Sequence, residues 1–150
     1  MFDAVADRLA ASVTDLSGRI EPGAKLSEMI ARNQMPQNTP AAFVLPLGLR
    51  GGRSEAATGI FRQTISDTLG IVLVVRSAGD ATGAKASDRL TPLRNDVIRC
   101  ICGWAPPSDW LSGETIGVFT LSRGELISLS AGTLIYQLDF AIDDQLRISP

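Results

Sequence analysis

Leu134-Ile135-Tyr136-Gln137-Leu138-Asp139-Phe140-Ala141-Ile142 puts a large apolar side chain at every second position. A period of two places Leu134, Tyr136, Leu138, Phe140 and Ile142 on one face of a strand, with Gln137 and Asp139 on the other. Such a face requires a covering layer, and the segment upstream supplies one. Ala86, Leu90, Leu93, Val97 and Ile101 recur at intervals of four, three, four and four, the stripe of an amphipathic helix. Gly103 ends that helix. Pro92 either kinks it or, with Thr91 as N-cap, marks where its regular part starts. Leu90, Leu93, Val97 and Ile101 are expected to pack on Leu134, Tyr136, Leu138 and Phe140.

Working outward, residues 60–76 read as one long strand. Phe61, Ile65, Leu69, Ile71, Leu73 and Val75 share odd parity, and Val72 and Val74 add a second apolar face near its end. That pattern marks a strand covered on both sides. Its length implies that it projects beyond its sheet or bends across two pairings. Residues 41–49 alternate Phe43, Leu45 and Leu47, and Pro46 assigns them to an edge strand or a bulge. Residues 50–59, Arg-Gly-Gly-Arg-Ser-Glu-Ala-Ala-Thr-Gly, read as a flexible hairpin connection. Such a segment should exchange its amides fast. Residues 77–83 form a second loop.

Phe2, Val5, Leu9 and Val13 predict an N-terminal amphipathic helix, and Leu26, Met29 and Ile30 a short second one. Ile20 falls in a short extended piece between them. After the central helix, strands are expected over 116–121, 125–129 and 133–142, with turns at Arg123-Gly124 and Ala131-Gly132. The tail from Asp143 reads as polar and solvated. Helices and hairpins in this order predict an α+β fold, a mostly antiparallel sheet covered by the central and N-terminal helices, in one domain over residues 1–150.

The chain has 150 residues, 45 % hydrophobic and 20 % charged, enough for a full core without disulfides or metals. The net charge of −2 gives no general attraction to nucleic acid or acidic membranes. No apolar run reaches a bilayer's thickness, and the first residues lack the basic start of a signal peptide, so an intracellular protein is expected. Histidine is absent, which removes histidine-based catalysis and most zinc sites. Cys100 and Cys102 stand about 200° apart around a helix, so they neither chelate one metal nor form a disulfide there.

Catalytic signatures fail one by one. Gly48-Leu49-Arg50-Gly51-Gly52 lacks the lysine and spacing of a nucleotide loop. Ser112-Gly113-Glu114 and Ser122-Arg123-Gly124 read as turns. Asp143-Asp144 reads as a solvated pair, and Asp88 as support for the helix dipole. Arg89, Arg94 and Arg99 lie off the apolar stripe. With Arg50, Arg53, Arg76 and Lys85 they make a solvated face or a protein contact. No aromatic residues interleave, so no specific nucleic-acid binding is expected. Trp104 is assigned to packing under the sheet edge. Trp110 divides between core and interface.

The N-terminal helix, the Pro-containing strand at 41–49, Phe61-Arg62-Gln63 leading into Val72-Leu73-Val74-Val75, the helix end Gly103-Trp104-Ala105-Pro106 and the closing Tyr136-Gln137-Leu138-Asp139-Phe140 together resemble the tail terminator (tail completion) proteins of long-tailed bacteriophages. The resemblance covers roughly residues 2–148 and carries no catalytic motif. It implies a structural virion protein, not an enzyme, with no cofactor or metal. It implies a hexameric ring that caps the head-proximal end of the tail tube, ends tail polymerisation and offers a surface for head joining. The implied partners are further copies of the chain, the tail tube protein and a head-completion or connector protein, without a membrane. The implied location is the host cytoplasm during assembly and the virion tail afterwards, with a phage, a prophage or a gene transfer agent as the source. The residues expected to carry contacts are Arg50, Gly51, Gly52, Arg53, Arg62, Gln63, Arg76 and Trp110. Two other classes fit the residues: another phage neck or head–tail connector component, and a small enzyme using only Asp, Glu or Lys chemistry.

Overall fold

The computed structural model describes residues 1–57, 59–80, 82–107 and 117–149. The order is α1 (Phe2–Ser12), a 3-10 turn (Thr14–Leu16), β1 (Ile20–Pro22), α2 (Gly23–Ala31), β2 (Ala41–Ala57), β3 (Ile60–Arg76), α3 (Ala84–Ile101), β4 (Thr120–Ser130) and β5 (Thr133–Ile148). The strands form one sheet in the order β1-β2-β3-β5-β4. Every pairing is antiparallel except β1 with β2, so the α+β expectation holds. The parallel pair brackets α2, a small βαβ unit at one edge.

The stripe of β5 decides the architecture, as the sequence implies. Leu134, Leu138, Phe140 and Ile142 are buried and Tyr136 is half-buried. They share one cluster with Leu69, Ile71, Leu73 and Val75 of β3, Leu90, Leu93, Val97 and Ile101 of α3, and Val5 and Leu9 of α1. The register places Leu138 opposite Ile71 and Phe140 opposite Leu69, which aligns the two odd faces under the helices. The opposite face has its own smaller core. Val72, Val74 and Phe43 meet Leu26 of α2, with Met29 packed alongside. Ile30 of the same helix points outward and is 54 % exposed.

Pro92 stands inside α3, which runs unbroken from Ala84 to Ile101. Thr91 is therefore not the N-cap. Both Pro92 and Asp88 are exposed. The carbonyl that loses its partner thus lies on the wet side of the helix, where the loss is small. The helix start is secured by Asp80 rather than Asp88: the buried Asp80 carboxylate accepts the Ala86 backbone N–H at 3.0 Å. At the other end, Arg8 of α1 donates from Nε to the Cys100 carbonyl at 2.7 Å. Its guanidinium sits 4.7 Å over the Trp104 ring, which stacks on Phe119 at 6.0 Å. Trp104 is a packing residue, as expected. Arg8→Ala should cost about 1–3 kcal/mol in urea unfolding, because it removes a charged hydrogen bond and a ring contact together. A loss under about 0.3 kcal/mol would assign the helix pair to apolar packing alone.

Three sequence expectations are corrected. Residues 50–57 are not a loop but the second half of β2, paired with β3 down to Ala57 opposite Ile60. Small residues hide a strand because they leave no burial period. Fast amide exchange in this segment is withdrawn with the loop. Next, Arg123-Gly124 is no turn. β4 runs through it, with bulges between Leu121 and Arg123 and between Leu126 and Ser128. The strand expected from residue 116 begins at Thr120, and Ile116 lies outside the described residues. Finally, the tail from Asp143 continues β5 to Ile148, and Asp144 is buried at 1 % exposure. Pro46 does mark an edge: β1 covers only residues 42–44 of β2, and the first bulge lies between Pro46 and Gly48.

Candidate functional site

β3 is as long as its sequence suggests, and the extra length makes an arm. Residues 48–57, 60–68 and 143–148 pair as three strands, and among their described side chains only Ile65 and Asp144 are buried. Ile60 and Ile148 are exposed near the tip of the arm, where they line a hollow with Phe61 and Ala56. Gln63 steadies the glycine-rich part by donating from Nε2 to the Gly52 carbonyl at 3.2 Å. The one extra residue between Gly51 and Ser54 forms a bulge there.

The arm gathers Arg50, Gly51, Gly52, Arg53, Arg62 and Gln63 into one region, with all three arginines exposed. Arg76 stands apart at the opposite end of β3, where its carbonyl accepts from Arg89 at 3.5 Å. Trp110 lies outside the described residues.

Of the sheet's two margins, sequence reading marks the β2 side through Pro46 and misses the β4 side. No described strand pairs with the outer side of β4, and each of its eleven residues is exposed. Leu121, Leu126, Ile127 and Leu129 are 42–52 % exposed on this strand. At the other edge, β2 beyond Val44 has no described outer neighbour, and Leu47 and Leu49 are 41 % and 59 % exposed. Long apolar edges are normally guarded by lysine, proline or a covering element, because open edges recruit other chains. Here bulges and one proline are the guards. The adjacent pair Leu126-Ile127, which fits no one-sided alternation, is the signal that was available.

Between the edges, on the face beyond α2, lies a cleft of about 620 Å³ lined by Leu47, Leu49, Arg50, Thr68, Arg123 and Asp139. Asp139 accepts from Gln137 Nε2 at 2.7 Å, and Arg123 is paired with Glu125. These groups hold one another. Among the described residues no three potential metal ligands cluster.

On the other face, Asp67 stands between Leu49 and Ile142. Burial raises its pKa above the usual 3.8, partly offset by a hydrogen bond from the Thr68 backbone. The folded state therefore holds this proton more tightly than the unfolded chain. Stability is expected to fall as pH rises from about 4 through the raised value. Asp67→Asn should remove that component, so its stability relative to the parent should rise between pH 4 and 7. An unchanged difference across that range would show that Asp67 carries no such penalty.

A model of the family described as phage tail terminator protein matches residues 2–150 of the chain. No significant match is found among curated proteins. The match spans both helices that cover the main core, all five strands, the arm and both open edges. No helix among the described residues is long and apolar enough to cross a membrane. The chain belongs to the phage tail terminator protein family, a family of tail structural proteins.

Proposed function

We propose that this chain assembles as a ring of six copies on the head-proximal end of the tail tube, where it stops tube growth and presents the surface to which the head joins. Family membership along nearly the whole chain carries this reading. The fold supports it physically. A head-to-tail interface closes a ring when each copy offers two different, complementary surfaces, and the described strands leave two different edges of this sheet unpaired. Arg50, Gly51, Gly52, Arg53, Arg62 and Gln63 lie on the arm that projects from the core, so contacts to a neighbouring copy and to the tube protein are assigned there. Arg76, at the far end of β3, and Trp110 complete the set of candidate contact residues. Assembly takes place in the host cytoplasm before the ring becomes part of the virion.

Deletion of the gene from its phage or prophage tests the proposal. Heads should fill normally, while tails grow to abnormal lengths and stay unjoined. Tails of normal length without heads would replace the terminator by a connector component. Fully infectious particles would exclude both.

A further inference from the structure

The two edges that the described strands leave unpaired carry the same charge triplet. β2 holds Arg53-Ser54-Glu55 and β4 holds Arg123-Gly124-Glu125, and all four charged side chains are exposed. Two such triplets set antiparallel bring each arginine against the other's glutamate. We propose that β4 of one copy pairs antiparallel with residues 48–57 of β2 in the next copy, so that a continuous sheet runs around the ring. This inference rests on the ring reading above and names the surface that would close it.

Four features of the sheet make the pairing possible. β2 opposes β3, β3 opposes β5 and β5 opposes β4, so β4 runs antiparallel to β2. A second copy in the same orientation therefore presents its β2 to β4 in the correct sense, without inversion. The faces also agree. Glu55 pairs with Arg62, and Arg123 and Glu125 pair with Asp139 and Gln137, all on the face that α2 covers further along the sheet.

The bulges fall in step as well. With Glu55 opposite Arg123 and Arg53 opposite Glu125, the extra residue between Gly51 and Ser54 stands beside the one between Leu126 and Ser128. The alternation resumes beyond them, and exposed Leu49 meets exposed Leu129 on a common face. Finally, β1 is not in the way. It occupies residues 42–44, whereas β4 from Leu121 to Ser130 would span 48–57. Glu55 lies level with Arg147 and Arg123 with Asp139, so successive copies are staggered by eight residues. That is about 27 Å along the strands, a displacement that closed sheets absorb by tilting.

The test is a charge swap in the full chain, read as ring formation by mass photometry and as binding to polymerised tail tube. Arg53→Glu with Glu55→Arg sets like charges opposite each other and should reduce ring formation at least tenfold. Adding Arg123→Glu with Glu125→Arg restores opposite charges and should restore the ring. All four residues are exposed, so circular dichroism should match the parent. A second variant gives an independent reading: Arg50→Cys with Ser128→Cys places thiols opposite each other, and mild oxidation should give a ladder of linked copies up to the full ring. Each single cysteine variant should give dimers at most. A swapped variant that assembles like the parent, no rescue by the fourfold variant, or no ladder in assembled rings would overturn the pairing and leave the ring reading intact. A parent chain that neither forms rings nor binds the tube would overturn both.

Discussion

Leu138→Ala should lower the unfolding free energy by about 2–5 kcal/mol, the range for a large-to-small change at a fully enclosed site. Leu138 is 1 % exposed and sits opposite Ile71 in the register. It lies where β5, β3 and the two covering helices meet, so little backbone is free to collapse into the space left behind. Urea denaturation with an unchanged slope checks it. A midpoint shift worth less than about 0.5 kcal/mol would mean that the helices do not close over this strand. Leu126→Ala is the matched control on β4. Its side chain is 50 % exposed in the subunit, so its expected cost to the free subunit is a fraction of the Leu138 value.

Gly132→Ala should be similarly damaging, for a reason of geometry rather than volume. Gly132 turns β4 into β5 at φ 75°, a region where side chains are strained. A Cβ there would run into the Ser77 carbonyl oxygen, and backbone cannot swing aside as a side chain end can. The Ser77 N–H also donates to the Gly132 carbonyl at 2.9 Å, which ties the β3–α3 loop to this turn. Strain and displacement together are expected to cost about 2–4 kcal/mol. Thermal unfolding gives the readout. Gly59→Ala is the informative comparison: its φ is also positive, at 83°, but nothing lies near the added carbon. Equal losses at the two glycines would show that the tie to Ser77 carries no weight.

What could be read from the sequence was whatever one-sided burial writes into it. α3 and β5 were visible because each hides one face and wets the other, so their periods are clean. β3 was visible down to its double-sided end, where Val72 and Val74 meet a second helix. β4 reads as two short strands instead of one, because its Arg-Gly pair imitates a turn and it is exposed on both faces. The glycine-rich half of β2 reads as a loop because Gly51, Gly52 and Ser54 bury nothing large. The buried state of Asp144 depends on register, which composition does not encode. The same logic governs the candidate site. The arginines of the arm could be singled out as exposed, but their counterpart on β4 lies some seventy residues away in the chain. Only the sheet order shows the two as its opposite margins.

The position of β5 between β3 and β4 also sets how the molecule comes into being. Phe61 pairs with Ile148 and Arg76 with Thr133, so the central ladder of the sheet joins residues 57 to 87 positions apart. Contacts of that span are slow to find, because the chain between them must be brought to heel before any of them is rewarded. β4 and β5 are joined by a short turn and pair locally, so the long-range step is the docking of their hairpin on β3. Refolding should therefore be limited by this one late docking, with β2–β3, β4–β5 and α3 formed earlier. During that interval the half-made sheet is the species most at risk of pairing with a stranger.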